Sequence, residues 1–167
     1  MMRITKGGLY FLSKQLEYKF SEITDQVLYD KDMDADSDHR RPHILLHTDS
    51  LGIHWFVPVT SNLVRARTFF EQQVKKTGNC LTMHIGEIRG MRMGFMLNKL
   101  IPAVRRYVDK EYLWGPVQLV ADQGTLECIE HKFHRLLEHH CTRCVDNERN
   151  YTMRMYNVML SELQQAQ

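Results

Sequence analysis

The residues with the clearest chemical potential are Thr60 and Ser61, adjacent hydroxyls at the end of an apolar run and directly before a helical pattern. Hydroxyls beside the unpaired N–H groups of a helix start can hold an anion such as a phosphate. The same position also suits Ser61 as a helix N-cap. Cations are close in sequence: Arg40 and Arg41 precede the apolar runs, and Arg65 and Arg67 lie on the first turns of the following helix. A guanidinium can grip a phosphate as a fork and stabilise charge that develops during phosphoryl transfer. Nothing resembles a Gly-x-Ser-x-Gly elbow or a Walker loop, so a hydrolase triad and an NTPase have no support.

A second group is rich in metal-ligand residue types: Cys128, His131, His134, His139, His140, Cys141 and Cys144. Cys141 and Cys144 have a zinc-type spacing, but no second knuckle stands at a standard interval, and one straight helix cannot close four ligands around an ion. Free thiols and surface histidines are therefore expected, with no metal and no cofactor; a domain stabilised by zinc on Cys128, Cys141, Cys144 and one histidine is the alternative. The rings of Tyr10, Tyr18, Tyr29, Tyr107, Tyr112 and Trp114 can stack unpaired bases or fill a core.

These side chains need a scaffold. Residues 43 to 48, His-Ile-Leu-Leu-His-Thr, are followed by Asp49-Ser50-Leu51-Gly52, which reads as a turn. Ile53, Trp55, Val57 and Val59 then alternate with His54, Phe56 and Pro58. That period of two predicts a half-buried strand, so Arg41 to Ser61 is a β-hairpin whose two ends meet. Pro58 belongs at a strand end or edge. Leu63, Ala66, Phe70 and Val74 predict a helix that Gly78 stops. A further strand is expected over 80–85, then a second strand-and-turn region, punctuated by Gly86, Gly90 and Gly94, that ends at Pro102. Helices are expected from Thr125, with Leu126, Ile129, Phe133, Leu136 and Leu137 inward, and from Asn147 onward, with Tyr151, Met155, Val158 and Glu162 on one face. Strands in the middle and helices at the ends make an α+β protein, a sheet covered by helices.

The chain has 167 residues, 43% of them hydrophobic, enough for one domain spanning 1–167 with a proper core. Its 22 Lys and Arg against 20 Asp and Glu exclude a uniformly basic surface but not a local patch. Residues 25 to 38 hold six Asp and one Lys, so Asp30 to Arg40 should be a solvated loop. The start shows no apolar signal-peptide core, and no run approaches the roughly 20 residues of a membrane span. A cytoplasmic protein is expected, without membrane association.

Arg41-Pro-His-Ile-Leu-Leu, a turn, and Ile53-His-Trp-Phe-Val-Pro-Val-Thr-Ser61 together resemble the ToxN/AbiQ toxins of type III toxin–antitoxin systems. Gly94-Phe-Met-Leu-Asn-Lys-Leu-Ile-Pro102 resembles their glycine-to-Ile-Pro segment, and Leu9-Tyr-Phe-Leu-Ser-Lys-Gln-Leu16 their tyrosine-bearing opening. The resemblance covers residues 9 to 140 in three islands. It implies a compact, strongly bent antiparallel sheet similar to the MazF and Kid toxins, flanked by helices. It also implies metal-independent cleavage of single-stranded RNA, in which the 2′-hydroxyl attacks the adjacent phosphate to leave a 2′,3′-cyclic phosphate and a 5′-hydroxyl. The implied partner is a repetitive, pseudoknot-forming RNA antitoxin that assembles the protein into RNA-mediated oligomers. Thr60, Ser61 and Arg41 match the family's catalytic positions and Tyr10 its early tyrosine; Arg40, Arg65 and Arg67 join Tyr10 as expected RNA contacts. One departure stands out: the lysine two positions after the family's serine is Leu63 here. Arginine keeps its proton and makes a poor acid, so Ser61, His43 or His54 would have to move the proton. A non-catalytic RNA-binding module on the same scaffold is the alternative.

Overall fold

We describe residues 2–23, 40–142 and 151–166 of a computed structural model, with the backbone alone over 139–142. Most of the expected Asp-rich loop, the side chains of His139, His140 and Cys141, and Cys144 lie outside that description. The elements run β1 (Leu9–Leu12), α1 (Lys14–Phe20), β2 (His43–Thr48), β3 (His54–Thr60), α2 (Leu63–Thr77), β4 (His84–Ile88), β5 (Met91–Phe95), β6 (Ile101–Ala103), β7 (Val108–Glu111), β8 (Leu113–Trp114), β9 (Val117–Gln118), α3 (Gln123–Thr142) and α4 (Tyr151–Gln165).

The expected hairpin is the centre of the fold. β2 and β3 pair antiparallel, and Asp49 closes their turn by accepting from the N–H groups of Leu51 and Ile53, both at 2.9 Å. Gly52 supplies the left-handed backbone the turn requires, at φ +86°. The strand order is β4-β5-β3-β2-β1-β7, all antiparallel, with β6 also on β3. This path is open: β4 and β7 end it, and the sheet does not close into a barrel.

Both faces of β3 are covered, which corrects the half-buried reading. Trp55, Val57 and Val59 join Ile44, Leu46, Ile129, Phe133 and Leu136 in a core under α3. Phe56 joins Tyr10, Leu16, Phe20, Leu45, Met155 and Met159 in a second core under α1 and α4. Each fully buried Leu, Ile or Phe contributes about 1.5–3 kcal/mol, so a strand feeding two cores resists slipping by even one residue. Pro58 is internal, not at an edge. Its carbonyl accepts from Met96 N–H at 3.0 Å, where β3 changes partner from β6 to β5, so its missing N–H falls in a gap in the ladder.

Other boundaries moved. The N-terminus contributes β1 to the sheet, so helices do not monopolise the ends. The strand expected over 80–85 is β4, shifted to His84–Ile88; Cys80 and Met83 instead pack under α2 with Ala66 and Met96. Gly86 is needed where α3 begins. A Cβ there would lie 2.5 Å from the Thr125 methyl, whose neighbouring hydroxyl accepts from Glu87 N–H at 2.8 Å. On α4 the inward residues are Thr152, Met155, Met159 and Glu162, while Tyr151 is exposed.

Glu162 ties α4 to the rest. Tyr107 donates to its two oxygens at 2.8 and 3.0 Å, Lys19 reaches it at 2.8 Å, and Arg106 completes the set. Burial works to raise the Glu162 pKa, but the hydrogen bonds from Lys19, Tyr107 and Arg106 outweigh it and hold the carboxyl below its ordinary value. A depressed carboxyl contributes stability above its unfolded-state value near 4.5, and loses it as pH falls through the lower folded value. Lys19 and Arg106 approach from solvent, so Glu162→Gln should cost about 1 kcal/mol at pH 7. Urea denaturation should show that cost shrinking below pH 4; a constant difference from pH 7 to 3 would contradict this assignment.

Candidate functional site

β3 delivers Thr60 to the end of the sheet where α2 starts. The register pairs His43 with Pro58, and Val59 N–H donates to the Pro42 carbonyl at 2.9 Å. Continuing that register sets Arg41 opposite Thr60. On the other side Thr60 pairs with Gly94 of β5. A Cβ on Gly94 would lie 2.9 Å from the Ala66 Cβ and 3.0 Å from the Thr60 methyl, so the glycine lets α2 close down beside Thr60. Met96 lies on the same end: its sulfur is 3.2 Å from an Arg41 guanidinium nitrogen.

The cap is not Ser61. Asn62 Oδ1 accepts from Arg65 N–H at 3.2 Å, while Thr60 Oγ1 accepts from Asn62 N–H at 3.2 Å. Asn is as good an N-cap as Ser, and the turn made by Thr60 carries the chain one residue further before the helix begins. Ser61 is exposed at this corner, and Arg65 and Arg67 are exposed on the first turns of α2. The structure therefore brings Arg41, Thr60 and Ser61 to one end of the sheet, beside a helix N-terminus and its arginines.

It does not bring Arg40 or Tyr10 there. Arg40 turns the opposite way along the sheet, pairing with Asp109 on β7 and donating to the Leu12 carbonyl at 3.3 Å. Tyr10 is wholly buried, edge-on to Phe56 at 6.1 Å, and its hydroxyl accepts from Thr5 N–H at 2.6 Å. No face of that ring is open to a base, so its expected RNA contact is corrected to a core role. Adjacent residues of an extended chain point to opposite sides, which separates Arg40 from Arg41.

The two histidines weighed as proton carriers are not suited to it. His43 is 1% exposed and neither ring nitrogen has a hydrogen-bond partner among the described residues. Burial pushes its pKa down to about 3, the Arg41 backbone opposing and the Arg41 charge adding to the fall. The ring is therefore neutral at physiological pH. His54 starts β3, six residues before Thr60, about 20 Å away along a strand. It bonds Thr48 at 2.7 Å, and burial, then the Arg105 charge, lower its pKa.

Cys128, His131 and His134 are exposed on α3. Among the described residues no three His, Cys, Asp or Glu side chains converge on a point where an ion could sit. His134 instead meets His47 of β2, ring centres 5.8 Å apart. Nor is any described helix long and apolar enough to cross a membrane.

What sequence reasoning missed at the site is its support: Asn62 as cap, Met96 against Arg41 and Gly94 against Thr60. Asn62 could have been found, since Ser61 and Asn62 are equal cap candidates one residue apart. The chain matches no protein-family model and no curated protein. A guanidinium, two hydroxyls and a helix N-terminus can together bind a phosphodiester and stabilise extra negative charge on it.

Proposed function

We propose that the chain is a metal-independent endoribonuclease of the ToxN/AbiQ type, held in check by a repetitive, pseudoknot-forming RNA. The observation that carries this reading is the register setting Arg41 across from Thr60, with Ser61 exposed at the start of α2. Arg41 holds the scissile phosphate, Thr60 and Ser61 orient it and move protons, and Arg65 and Arg67 follow the RNA backbone. The flanking charge suits a polyanion: residues 63 to 106 hold nine Lys and Arg against two Glu. On this reading the open seven-stranded sheet is the counterpart of the bent MazF/Kid-like sheet, the protein works in the cytoplasm, and its RNA partner drives oligomerisation.

Single-stranded RNA incubated with the protein in EDTA should yield 2′,3′-cyclic phosphate and 5′-hydroxyl ends. RNA that stays intact across buffers, together with normal growth of cells expressing the protein, would remove the nuclease.

Three observations favour a second reading, a non-catalytic RNA-binding module. Leu63 stands where the family's lysine is expected, His43 is neutral and buried, and His54 is at the far end of its strand. Tight RNA binding without cleavage would select it.

A further inference from the structure

The β7–β8 ribbon carries a row of side chains that the Thr60 end of the sheet does not use. The ladder between β1 and β7 pairs Phe11 with Lys110, and Tyr112 N–H continues it by donating to the Leu9 carbonyl at 2.8 Å. The next ladder pairs Trp114 with Val117, and Leu119 N–H continues it to the Tyr112 carbonyl at 2.9 Å. Residues 110, 112 and 114 thus lie on one nearly continuous extended run. Alternation sets their side chains on one face, roughly 6.5–7 Å apart.

Tyr112 packs beside the α3-side core, its ring edge-on to Phe11 at 5.2 Å. Trp114 projects past the end of that core and is 61% exposed, with Val117 opposite it 51% exposed. Lys110 lies over the Phe11 ring at 5.5 Å, and Arg40 over the same ring at 5.9 Å. An exposed indole costs solvent order and gives the core nothing. A row of half-open rings headed by a cation is the arrangement that stacks successive bases while holding the strand's phosphates.

We propose that Lys110, Tyr112 and Trp114, backed by the Phe11 ring, form a stacking platform for single-stranded RNA on the opposite face of the sheet from Arg41. The proposal rests on the reading of the protein as RNA-directed, but not on cleavage. The platform is sequence-tolerant, because every base offers a π face. The Lys110 ammonium distinguishes it from a purely apolar protein-docking ridge, since Arg40 is held by Asp109.

The test uses the indole as its own reporter. The chain has two tryptophans, and Trp55 is 4% exposed, so a ligand at the ribbon acts on Trp114 emission. The probe is a 2′-O-methyl oligouridine, which has no attacking hydroxyl and cannot be cut. Titration should quench the emission saturably. Trp114→Phe should remove the quench and keep most of the affinity, measured by anisotropy of the labelled probe. Trp114→Ala should weaken binding about tenfold. Two results overturn the platform: binding with no quench that is unchanged in Trp114→Ala, or a Trp114→Ala effect confined to self-association in light scattering, which makes the ribbon a contact between copies. A quench in a protein that never cuts unmodified RNA keeps the platform and removes the nuclease. Cutting with Trp114-independent binding does the reverse.

Discussion

Arg41→Ala should lower the rate of RNA cleavage about 10²- to 10³-fold, the range for removing one preorganised charge-stabilising donor. The argument is local. Arg41 lies opposite Thr60 by register, and Met96, itself anchored to the Pro58 carbonyl, lies against the guanidinium at 3.2 Å. A thioether is a weak acceptor, so this contact orients the fork. The attacked phosphate gains negative charge on the way to the phosphorane, and a fixed fork stabilises that charge more than it stabilises bound substrate. The loss should therefore fall mainly on kcat, with KM changed only a few-fold. Arg41→Lys should recover part of the rate, since the charge returns without the fork. Arg41 is only half-buried, and its variants should melt near the wild-type temperature. A drop of less than threefold in a folded variant would move the phosphate site away from the hairpin. On the non-catalytic reading the same substitution weakens RNA binding and there is no rate to change.

What could be read from the chain followed from how local each signal was. The β2–β3 hairpin, the Gly78 stop and the inward stripe Ile129, Phe133 and Leu136 rest on neighbours within a few residues, and all stand in the structure. The short strands β6, β8 and β9 carry too few residues to show a period. β4 was misplaced because Leu81, Met83 and Ile85 do alternate, while tertiary packing under α2 claims Met83. At the site, a hairpin's geometry sufficed to bring Arg41 to Thr60. Alternation alone sets Arg40 and Arg41 on opposite sides, but which of the two faces the site depends on Asp109, 69 residues further on. Tyr10 failed for the same reason: the core of α1 and α4 residues that encloses it is assembled from the whole chain.

His43 should set much of the protein's acid sensitivity, and His43→Leu should remove that share. His43 lies on β2 between β1 and β3, its register partners being Tyr10 and Pro58; its ring is buried, and the Arg41 backbone is the one neighbour among the described residues that favours the charged form. Burial disfavours the imidazolium, so the folded pKa falls from 6.5 to about 3. The sign is the reverse of a salt-bridged histidine. As pH drops below 6.5 the unfolded chain takes up a proton that the folded ring refuses, and stability is lost progressively until about pH 3. At 1.36 kcal/mol per pH unit, the loss is roughly 3 kcal/mol by pH 4. His84, held to about 4 by its burial and then by the Lys132 charge, pulls in the same direction. Wild type alone would not separate the two, so the measurement is the difference between wild type and His43→Leu in urea at each pH. At pH 7 the variant should be as stable or more so, because a buried imidazole with, among the described residues, only the Arg41 backbone near it is exchanged for an apolar side chain of similar size. By pH 4 its advantage should have grown by that same roughly 3 kcal/mol. A difference that stays flat between pH 7 and 4 would mean that the imidazole keeps a proton acceptor in the fold, and that its burial is not what lowers stability in acid.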